Sequence, residues 1–453
     1  MKIVLVGAGS AQFGSGMLGD IFASKELVGS HIVLHDINET ALNKMLSVAN
    51  RFITEHKLNY TITASTNRKE AFQAADFIIS SIEVGDRFTL WEEDWKIPLQ
   101  YGMEQVYGEN GGPGGVFHSL RIIPPILDIM KDVMEICPKA YVFNFSNPMT
   151  AICTTVKRVF PQARFIGMCH EIGWLQSWLP RMLSLDLEDI YFKAAGLNHF
   201  SCMLEARHKK TGEDLYPKVR EKAEAFFVKE PGYSDMFDYY REHGIFEHEE
   251  QFEKTKMQKE SNYEWADRKI VKFMLENYAL LPITVDSHFG EYIGWAADIV
   301  DHRGILDFFD AYKIMLTREQ EYKIHVHKSA SERVIPIIDG IITNSGYEEL
   351  AVNVINNGII SNLPDWIAVE VPAIINKDGV QGINLGELPK GYASLLNAYC
   401  GVYDLTAEAI IHQKKDYVIQ ALLANPIVTK ARNVKELVER MIDQQSKWLA
   451  YLK

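Results

Sequence analysis

Short apolar segments alternate with helical stretches over the first 170 residues, and this alternation restricts the fold more than any other feature of the 453-residue chain. The segments are rich in Val, Ile and Phe, and four of the five are followed within two residues by Gly, Asp, Asn or Cys. They comprise residues 2–6, 31–35, 77–80, 141–145 and 164–168. Strands separated by helices are typical of a parallel sheet wrapped by crossover helices. We therefore predict an α/β fold with a doubly wound sheet, which binds its ligands at the carboxyl ends of the strands.

The sequence changes character near residue 175. It becomes more helical and more charged, and no Pro-, Gly- or Ser-rich linker marks the change. At the usual size of about 100–200 residues per domain, the length suggests two domains. We place one at residues 1–172 and a second, largely helical α+β domain at residues 173–453. Residues 205–272 are dense in charges of both signs and predict a solvated or subunit-facing helical region.

Apolar side chains recur at helical spacing near the C-terminus. They predict one apolar helix stripe that serves as core or interface, with no chemistry implied. The stripe consists of Val434, Leu437, Val438, Met441, Ile442, Trp448, Leu449 and Leu452.

The composition excludes several classes of function. With 47 basic and 60 acidic residues, the chain has a net charge of −13 and lacks the positive charge of a nonspecific nucleic-acid-binding protein. No stretch approaches the about 18 uninterrupted apolar residues of a membrane span, and the N-terminal apolar run is too short for a signal peptide. Five cysteines are too few for a disulfide framework in so long a chain. We expect a cytoplasmic protein that binds neither nucleic acid nor membrane.

The first apolar segment runs directly into a glycine-rich turn at residues 7–10. Glycines let the backbone approach a pyrophosphate, whose charge is stabilised by amides at a helix N-terminus. Gln12 replaces the third glycine of the usual fingerprint, but Asp36 follows the second segment, where an acid binds the ribose hydroxyls. An acid there favours NAD over NADP because it repels a 2′-phosphate. We predict a Rossmann-like NAD-binding domain that uses Gly7, Gly9, Ser10, Asp36 and Asn38.

Two further segments follow predicted strands or hold many glycines. Asn147 precedes Pro148 after the fourth predicted strand, as in malate and lactate dehydrogenases. It is either a turn residue or a side chain that hydrogen-bonds a substrate hydroxyl or the nicotinamide ribose. Residues 107–117 hold five glycines, which predicts a surface loop or a mobile cover over the site.

Cys169, His170 and Glu171 follow the fifth predicted strand, and His199 follows a later strand-like segment. A thiolate and an imidazole can hold a divalent ion and leave other coordination positions open for substrate oxygens. Taken by themselves, such residues are more often a buried cysteine and an unrelated histidine. The sequence has no Gly-x-Ser-x-Gly, Walker or Cys-x-x-Cys motif, so the chemistries of those motifs are not expected.

Taken together, these segments resemble glycoside hydrolase family 4. The resemblance rests on the glycine-rich start, Asp36, and residues 112–117, 147–149, 169–172 and 198–199, which keep the family's order. The family implies an NAD- and metal-dependent hydrolysis that departs from the usual two-carboxylate scheme. Hydride leaves C3 of the sugar, a base removes the C2 proton, and the C1 leaving group is eliminated. Water then adds, and the hydride returns.

The resemblance also implies roles for individual residues. Cys169 and His199 hold the divalent metal ion, typically manganese, although a thiolate by itself would suggest zinc. His170 assists the leaving group, since the pKa of histidine lies near working pH. The base is a tyrosine downstream of the metal-binding histidine, and Tyr239 and Tyr240 are both candidates.

The Cys-His-Glu-Ile segment differs only in its last residue from the Cys-His-Glu-Val of the family's α-galacturonidase subgroup, which implies a small-molecule α-galacturonide substrate. Arg87, Arg121 and Arg241 are candidates to bind its carboxylate, with Asn147 and Glu171 as further substrate-site residues. The alternatives are an α-glucuronide, α-galactoside or α-glucoside substrate. Two alternative functions belong to other classes of protein: an NAD-dependent 2-hydroxyacid dehydrogenase and a non-catalytic NAD sensor. Family relatives imply a homodimer or homotetramer.

Overall fold

The computed structural model describes residues 1–244, 260–318, 321–326 and 333–453. In these ranges, twelve strands form one mixed sheet. In chain order they are β1 (Lys2–Val6), β2 (His31–His35), β3 (Thr61–Ser65), β4 (Phe77–Ser80), β5 (Tyr141–Asn144), β6 (Arg164–Gly167), β7 (Ile190–Leu197), β8 (Phe200–His208), β9 (Leu281–Pro282), β10 (Tyr347–Ile355), β11 (Ala368–Asn376) and β12 (Gly379–Gly382).

The N-terminal half of the sheet has the order β3-β2-β1-β4-β5-β6, and all its neighbours are parallel. Because the chain adds β2 and β3 on one side of β1 and β4 to β6 on the other, a crevice opens at the carboxyl ends beside β1. The sheet continues from β6 through β10, β11, β7, β8 and β9 with antiparallel neighbours. The predicted α/β class with a Rossmann-like sheet is confirmed.

Within the first 170 residues, one strand escapes the sequence prediction. Three predicted strands coincide with β1, β2 and β4, and two others extend one residue beyond β5 and β6. The missing strand is β3, in which Ile62 is buried between the exposed Thr61 and Thr63. An edge strand that faces solvent has no continuous apolar run, so its hydrophobic pattern is weak.

Helices cover both faces of the sheet. Their bounds are α1 (Ala11–Ala23), α2 (Glu39–His56), α3 (Arg68–Phe72), α4 (Arg87–Gln100), α5 (Gly112–Ile136), α6 (Met149–Val159), α7 (Gly173–Leu183), α8 (Tyr216–Phe227), α9 (Tyr233–His243), α10 (Lys269–Tyr278), α11 (Asp286–Phe289), α12 (His302–Thr317), α13 (Val334–Thr343), α14 (Lys390–His412), α15 (Lys415–Ala424), α16 (Val434–Gln444) and α17 (Ser446–Leu449). Within the described ranges, none of these helices has both the length and the apolar character needed to cross a bilayer.

Successive side chains of β1 point to opposite faces of the sheet, and both faces need a layer of helices to cover them. Ile3 and Leu5 point into an apolar cluster shared with α1, α2 and α13, whereas Val4 and Val6 point into a larger cluster on the opposite face. All four side chains are buried. A central parallel strand buries both faces, and this explains its unbroken apolar sequence.

The glycine-rich segment is neither a surface loop nor a mobile cover, so this prediction is wrong. Residues 107–111 are largely buried, and Gly112 begins the 25-residue helix α5. Pro113 lies in the first turn, where a missing N–H costs no helical hydrogen bond. The glycines permit close packing: a Cβ on Gly115 would lie 2.3 Å from the backbone carbon of Asn110.

The C-terminal stripe is core. Val434, Leu437, Val438 and Met441 of α16 are at most 1% exposed, as the helical spacing predicts. The charged region before α10 is described only in part. Its helix α8 buries one face and exposes the other, and residues 245–259 lie outside the described ranges.

Leu437→Ala should lower the free energy of unfolding by about 2–5 kcal/mol, because it opens a cavity beneath a fully buried side chain. Denaturant unfolding measures the loss. The matched control is Leu423→Ala on α15, whose leucine is 51% exposed and whose removal should change stability by less than about 0.5 kcal/mol. Equal losses in the two variants would contradict this assignment of the core.

Candidate functional site

The crevice beside β1 has the form of a dinucleotide site. Gly7 adopts a φ of +85°, and a Cβ there would lie 1.9 Å from the carbonyl oxygen of Ser81, so no other residue fits. The amide of Gly9 donates to Asp36 Oδ2 at 2.8 Å, and a Cβ on Gly9 would lie 2.8 Å from that same oxygen. The turn therefore places a carboxylate directly beside the bare backbone that begins α1.

Ser10 and Asn38 each cap the N-terminus of a helix at this crevice. Ser10 is the N-cap of α1, and its hydroxyl accepts from the amide of Phe13 at 3.2 Å. Asn38 is the N-cap of α2, and its side chain accepts from the amide of Ala41 at 3.1 Å. The backbone amide of Asn38 also donates to Asp36 Oδ1 at 2.8 Å. Of the predicted cofactor-binding side chains, the Asp36 carboxylate is thus the one best placed for a ligand.

Cys169, Glu171 and His199 lie together at the carboxyl end of β6. One sulfur, one carboxylate oxygen and one imidazole nitrogen lie within 4.8 Å of one another. Cys169 follows β6, Glu171 precedes α7, and His199 forms the tip of the two-residue turn between β7 and β8. The structure therefore brings together the predicted metal pair and adds Glu171 to it.

The hairpin tip that carries His199 is held in an uncommon conformation. His199 has a φ of +61°, in the left-handed region that non-glycine residues rarely adopt. The neighbouring Asn198 donates to Glu370 at 2.9 Å, and Ser201 donates to the same carboxylate at 2.7 Å. These bonds hold the turn in place, and backbone strain of this kind is often found at functional sites.

The donor set fits a divalent metal ion. Glu171 Oε2 and His199 Nδ1 are buried and have no hydrogen-bond partner among the described residues. Burial lowers the pKa of His199 to about 4 despite the carboxylate of Glu171, so the imidazole is neutral and has a lone pair to offer. Burial raises the pKa of the Cys169 thiol well above its usual value, and Glu171 raises it further. A cation is therefore needed to keep this sulfur as a thiolate.

A chain of alternating charges leads away from the cluster. Glu171 Oε1 lies 2.9 Å from His288 Nδ1, and His288 Nε2 lies 3.6 Å from Glu109 Oε2. Glu109 Oε1 in turn accepts from Arg87 at 2.5 Å. Burial alone would lower the pKa of His288, but Glu171 and Glu109 on either side raise it to about 10.

The pKa values of the two carboxylates that flank His288, Glu171 and Glu109, are lowered. Burial opposes their ionisation, yet the imidazoles of His199 and His288 hold the pKa of Glu171 at about 2. His288 and Arg87 hold the pKa of Glu109 well below its usual range. The site therefore contains ionised carboxylates matched by a protonated His288 and by Arg87.

Glu291 differs from Glu109 and Glu171 in that its pKa is raised. Its Oε1 accepts from the amides of Glu109, at 2.5 Å, and of Asn110, at 3.0 Å. Burial raises its pKa to about 8, and the nearby charge of Glu109 contributes to this rise. Glu291 therefore keeps its proton at neutral pH and stabilises the loop that carries Glu109 without adding charge.

The remaining predicted residues differ in their surroundings. Asn147 lies at the carboxyl end of β5, and its buried Oδ1 has no hydrogen-bond partner among the described residues. His170 is exposed at the rim, between Cys169 and Glu171. Both positions are compatible with contact to a bound sugar.

The two predicted base candidates are turned towards other partners. The ring of Tyr239 stacks on His243 at 4.1 Å between centroids, and that of Tyr240 stacks on Phe237 at 5.8 Å. Tyr233, at the start of α9, is a third candidate that the sequence prediction lacks. Burial and the charge of Asp267 raise the pKa of Tyr233, and the charge of Glu171 adds to the rise, so this hydroxyl lies within electrostatic range of Glu171.

Each arginine proposed to bind a substrate carboxylate is paired with carboxylates of the protein. Arg87 contacts Glu109 and, at 3.9 Å, Glu83. Arg121 is buried and contacts Asp94 through two hydrogen bonds. Arg241 pairs with Asp238 and Asp307, each at 2.9 Å. The structure therefore does not place any of the three as an unpaired anion receptor.

Sequence reasoning missed Glu109, His288 and Glu291, and it also missed Thr284, whose hydroxyl donates to Glu171 Oε1 at 2.6 Å. Glu109 lies in the segment that its glycines suggested was a loop, and Thr284 is one buried threonine among many. His288 and Glu291 are three residues apart on consecutive short helical turns. That spacing is the one pattern that could have drawn attention to them.

Comparison with known proteins identifies the family. A model described as family 4 glycosyl hydrolase matches residues 2–185, and one for the family 4 glycosyl hydrolase C-terminal domain matches residues 194–428. The chain therefore belongs to glycoside hydrolase family 4, and the protein is a glycosidase. This result argues against the dehydrogenase and sensor alternatives.

Relatives that act on different sugars differ in their identity to this chain. An α-glucosidase from Erwinia rhapontici is 54% identical over 100% of this chain and 99% of its own length. An α-galacturonidase from Thermoanaerobacter italicus is 27% identical over 99% of this chain and 97% of its own. The expected galacturonide specificity is therefore not supported, and the α-glucoside alternative fits better.

A solved structure shows the same fold. The 6-phospho-α-glucosidase from gut microorganisms, crystallised with NAD and Mn²⁺, has a TM-score of 0.75 and 20% identity, covering 100% of this chain and 99% of its own. NAD and a divalent metal ion are the cofactors predicted from the family resemblance, so this prediction is confirmed at the level of the family.

Glu291→Gln should flatten the pH dependence of stability. Because the folded-state pKa of Glu291 is raised from 4.5 to about 8, its contribution is full below about pH 4.5 and is lost as pH rises to about 8. Glutamine cannot ionise, so the variant should be more stable than wild type above about pH 8 by a few kcal/mol, at about 1.4 kcal/mol per pKa unit.

Melting temperatures of the metal-free protein at about pH 5 and about pH 8.5 measure this effect. Glu439→Gln is the control, because Glu439 is a surface residue paired with Lys415. Parallel curves for wild type and Glu291→Gln would show that Glu291 is ionised throughout this range.

Proposed function

We propose that the protein is an NAD- and metal-dependent α-glucosidase that hydrolyses neutral small-molecule α-glucosides. Its identity with the Erwinia rhapontici α-glucosidase, which extends over the whole chain, carries the proposal. We assign residues 1–172 to NAD binding and residues 173–453 to the remainder of the substrate and metal site.

The electrostatics of the site support a neutral substrate. Arg87 and His288 are already compensated by Glu109 and Glu171, and Arg121 and Arg241 have carboxylate partners of their own. Binding a uronide or a phosphorylated sugar would require one of these buried or half-buried pairs to separate, at a cost of several kcal/mol. An α-glucoside adds no charge and leaves every pair intact.

Residues of this chain fit both cofactors. Gly7 and Gly9 leave room for a pyrophosphate, and the Asp36 carboxylate has capacity for ribose hydroxyls. Cys169 and His199 would hold the metal ion. When bound, NAD accepts and returns a hydride at C3 of the sugar, and the metal ion polarises the C2 and C3 oxygens.

The other groups of the site bind the sugar and move protons. Asn147 hydrogen-bonds a sugar hydroxyl through its unpartnered amide oxygen. We assign donation of a proton to the departing oxygen to His170, which is exposed between Cys169 and Glu171.

We assign removal of the C2 proton to Tyr233 rather than to Tyr239 or Tyr240. Tyr233 lies within the electrostatic reach of Glu171, and its ring packs on Phe308 at 4.2 Å between centroids. Phe308 in turn packs edge-on against His288 at 5.8 Å. Tyr240 lies seven residues further along α9, about 10 Å in the direction of the helix axis.

The substrate is tested with matched 4-nitrophenyl glycosides. In the presence of NAD, Mn²⁺ and a reducing agent, the α-glucoside should be cleaved with a kcat/KM at least about tenfold above that for the α-galactoside or the α-galacturonide. Omitting NAD or the metal ion should abolish release of nitrophenol. NADH should not accumulate, because the hydride returns in every turnover.

Preferential cleavage of the galacturonide would overturn the substrate assignment. Cleavage of the glucoside without added NAD, by protein stripped of nucleotide, would overturn the mechanism as well. Steady NADH accumulation would instead indicate a dehydrogenase.

Tyr233→Phe should reduce kcat by about 10²–10⁴-fold, the usual contribution of a general base. It should also prevent incorporation of solvent deuterium at C2 of the released sugar. Tyr239→Phe and Tyr240→Phe are matched controls that remove the same hydroxyl from neighbouring positions, and both should retain near wild-type rates. Loss of C2 exchange in either control, with Tyr233→Phe active, would reverse the assignment.

A further inference from the structure

The Glu171 side chain is held in one orientation through one of its two oxygens, by a hydrogen bond from Thr284 and an ion pair with His288. Oε1 accepts from the Thr284 hydroxyl at 2.6 Å and lies 2.9 Å from His288 Nδ1. Oε2 is buried, has no hydrogen-bond partner among the described residues, and lies 3.8 Å from His199 Nε2. The carboxylate is therefore anchored on one side and open on the side that faces Cys169 and His199.

An open oxygen on a buried carboxylate is costly. Glu171 is 4% exposed, so water reaches it poorly, and leaving an oxygen of such a group without a partner is energetically unfavourable. The side chain cannot easily turn to find another partner, because Thr284 is fully buried and fixes Oε1. The geometry therefore points to a ligand that Oε2 meets in the working enzyme.

The ring of His288 is fixed as firmly as the carboxylate it contacts. Tyr107 and Phe308 pack against it edge-on, at 5.9 and 5.8 Å between centroids. Its two nitrogens face Glu171 and Glu109. A rotation that released Glu171 would also break the contact with Glu109.

We propose that Glu171 is a third protein ligand of the metal ion, beside Cys169 and His199, and that Thr284 and His288 are positioning residues that hold it in the coordinating orientation. The inference rests on the proposed function only in requiring a metal ion at this site. It reassigns Glu171 from the substrate to the metal.

The third ligand changes the chemical character of the site. A thiolate and an imidazole by themselves suit a soft or borderline ion, whereas a carboxylate suits Mn²⁺ and Mg²⁺. A set of one sulfur, one nitrogen and one oxygen reconciles the cysteine with a hard ion. Partners that orient such ligands typically contribute 10–100-fold to metal affinity.

The test measures metal binding by the full-length protein with NAD and without substrate. Electron paramagnetic resonance of free Mn²⁺ gives the dissociation constant. Glu171→Gln should weaken Mn²⁺ binding by about 100-fold or more, and His288→Gln by about 10–100-fold. In Co²⁺-substituted protein, Glu171→Gln should alter the ligand-field bands and keep the sulfur-to-cobalt charge-transfer band, because Cys169 stays in place.

Thr284 offers a matched pair of variants that keeps the test valid if a charged-site variant fails to fold. Thr284→Val keeps the shape and removes the hydroxyl, and should weaken Mn²⁺ binding by about tenfold or more. Thr284→Ser keeps the hydroxyl and should restore near wild-type affinity. NAD affinity should be unchanged in both, which separates loss of the ligand from general damage to the fold.

The outcomes separate this inference from the proposed function. Wild-type Mn²⁺ affinity in Glu171→Gln, with a raised KM for the glucoside, would overturn the inference and return Glu171 to the substrate site. Equal affinities in Thr284→Val and Thr284→Ser would remove the positioning role. If the wild-type protein itself binds no divalent ion, the proposed function fails.

Discussion

Buried negative charge is the constraint on which this site depends. Glu109, Glu171, Glu291 and the Cys169 sulfur share a small volume, and ions cannot remain there without compensation. The protein meets this demand in three ways. Arg87 and His288 supply positive charge. Glu291 keeps its proton, and the Cys169 thiol keeps its proton when no metal ion is bound. The proposed preference for an uncharged sugar rests on this balance.

The architecture explains how distant parts of the chain form one site. The parallel half of the sheet delivers Cys169 and the NAD crevice to a shared edge, as in other open α/β sheets. The antiparallel half extends the same sheet, since β10 pairs with β6 and β11 pairs with β7. This extension carries the β7–β8 hairpin, with His199 at its tip, to the end of β6. A sugar can therefore contact residues of both halves at once.

The sequence predicts the central architecture well because hydrophobic period and glycine placement report local conformation. It places β1, β2 and β4 within their observed bounds, and family order connects Cys169 to His199 across 30 residues of chain. It fails where long-range packing decides. The buried start of α5 looks like a loop because its glycines permit close packing, which residue composition cannot distinguish from flexibility.

Long-range packing also decides which residues form the site, and the sequence does not predict it. Tyr233, Tyr239 and Tyr240 are alike in sequence, and the direction of α9 distinguishes them. Arginines near motif residues were candidates to bind a substrate carboxylate, but their carboxylate partners come from positions up to 66 residues away. His288 and Thr284 contact Glu171 from more than 110 residues further along the chain, and no local sequence pattern predicts such a contact.

The raised pKa of the Cys169 thiol has a further consequence. A thiol that ionises only in the company of a cation must release a hydrogen ion for each metal ion that it captures. With Cys169 as a ligand, as we propose, acid and metal would compete for the sulfur, so that acidification would release the ion and an ample supply of the ion would reverse the loss. Metal occupancy of the proposed site would then be coupled to the acidity of its surroundings, with the Cys169 sulfur as one of the groups that carry the coupling.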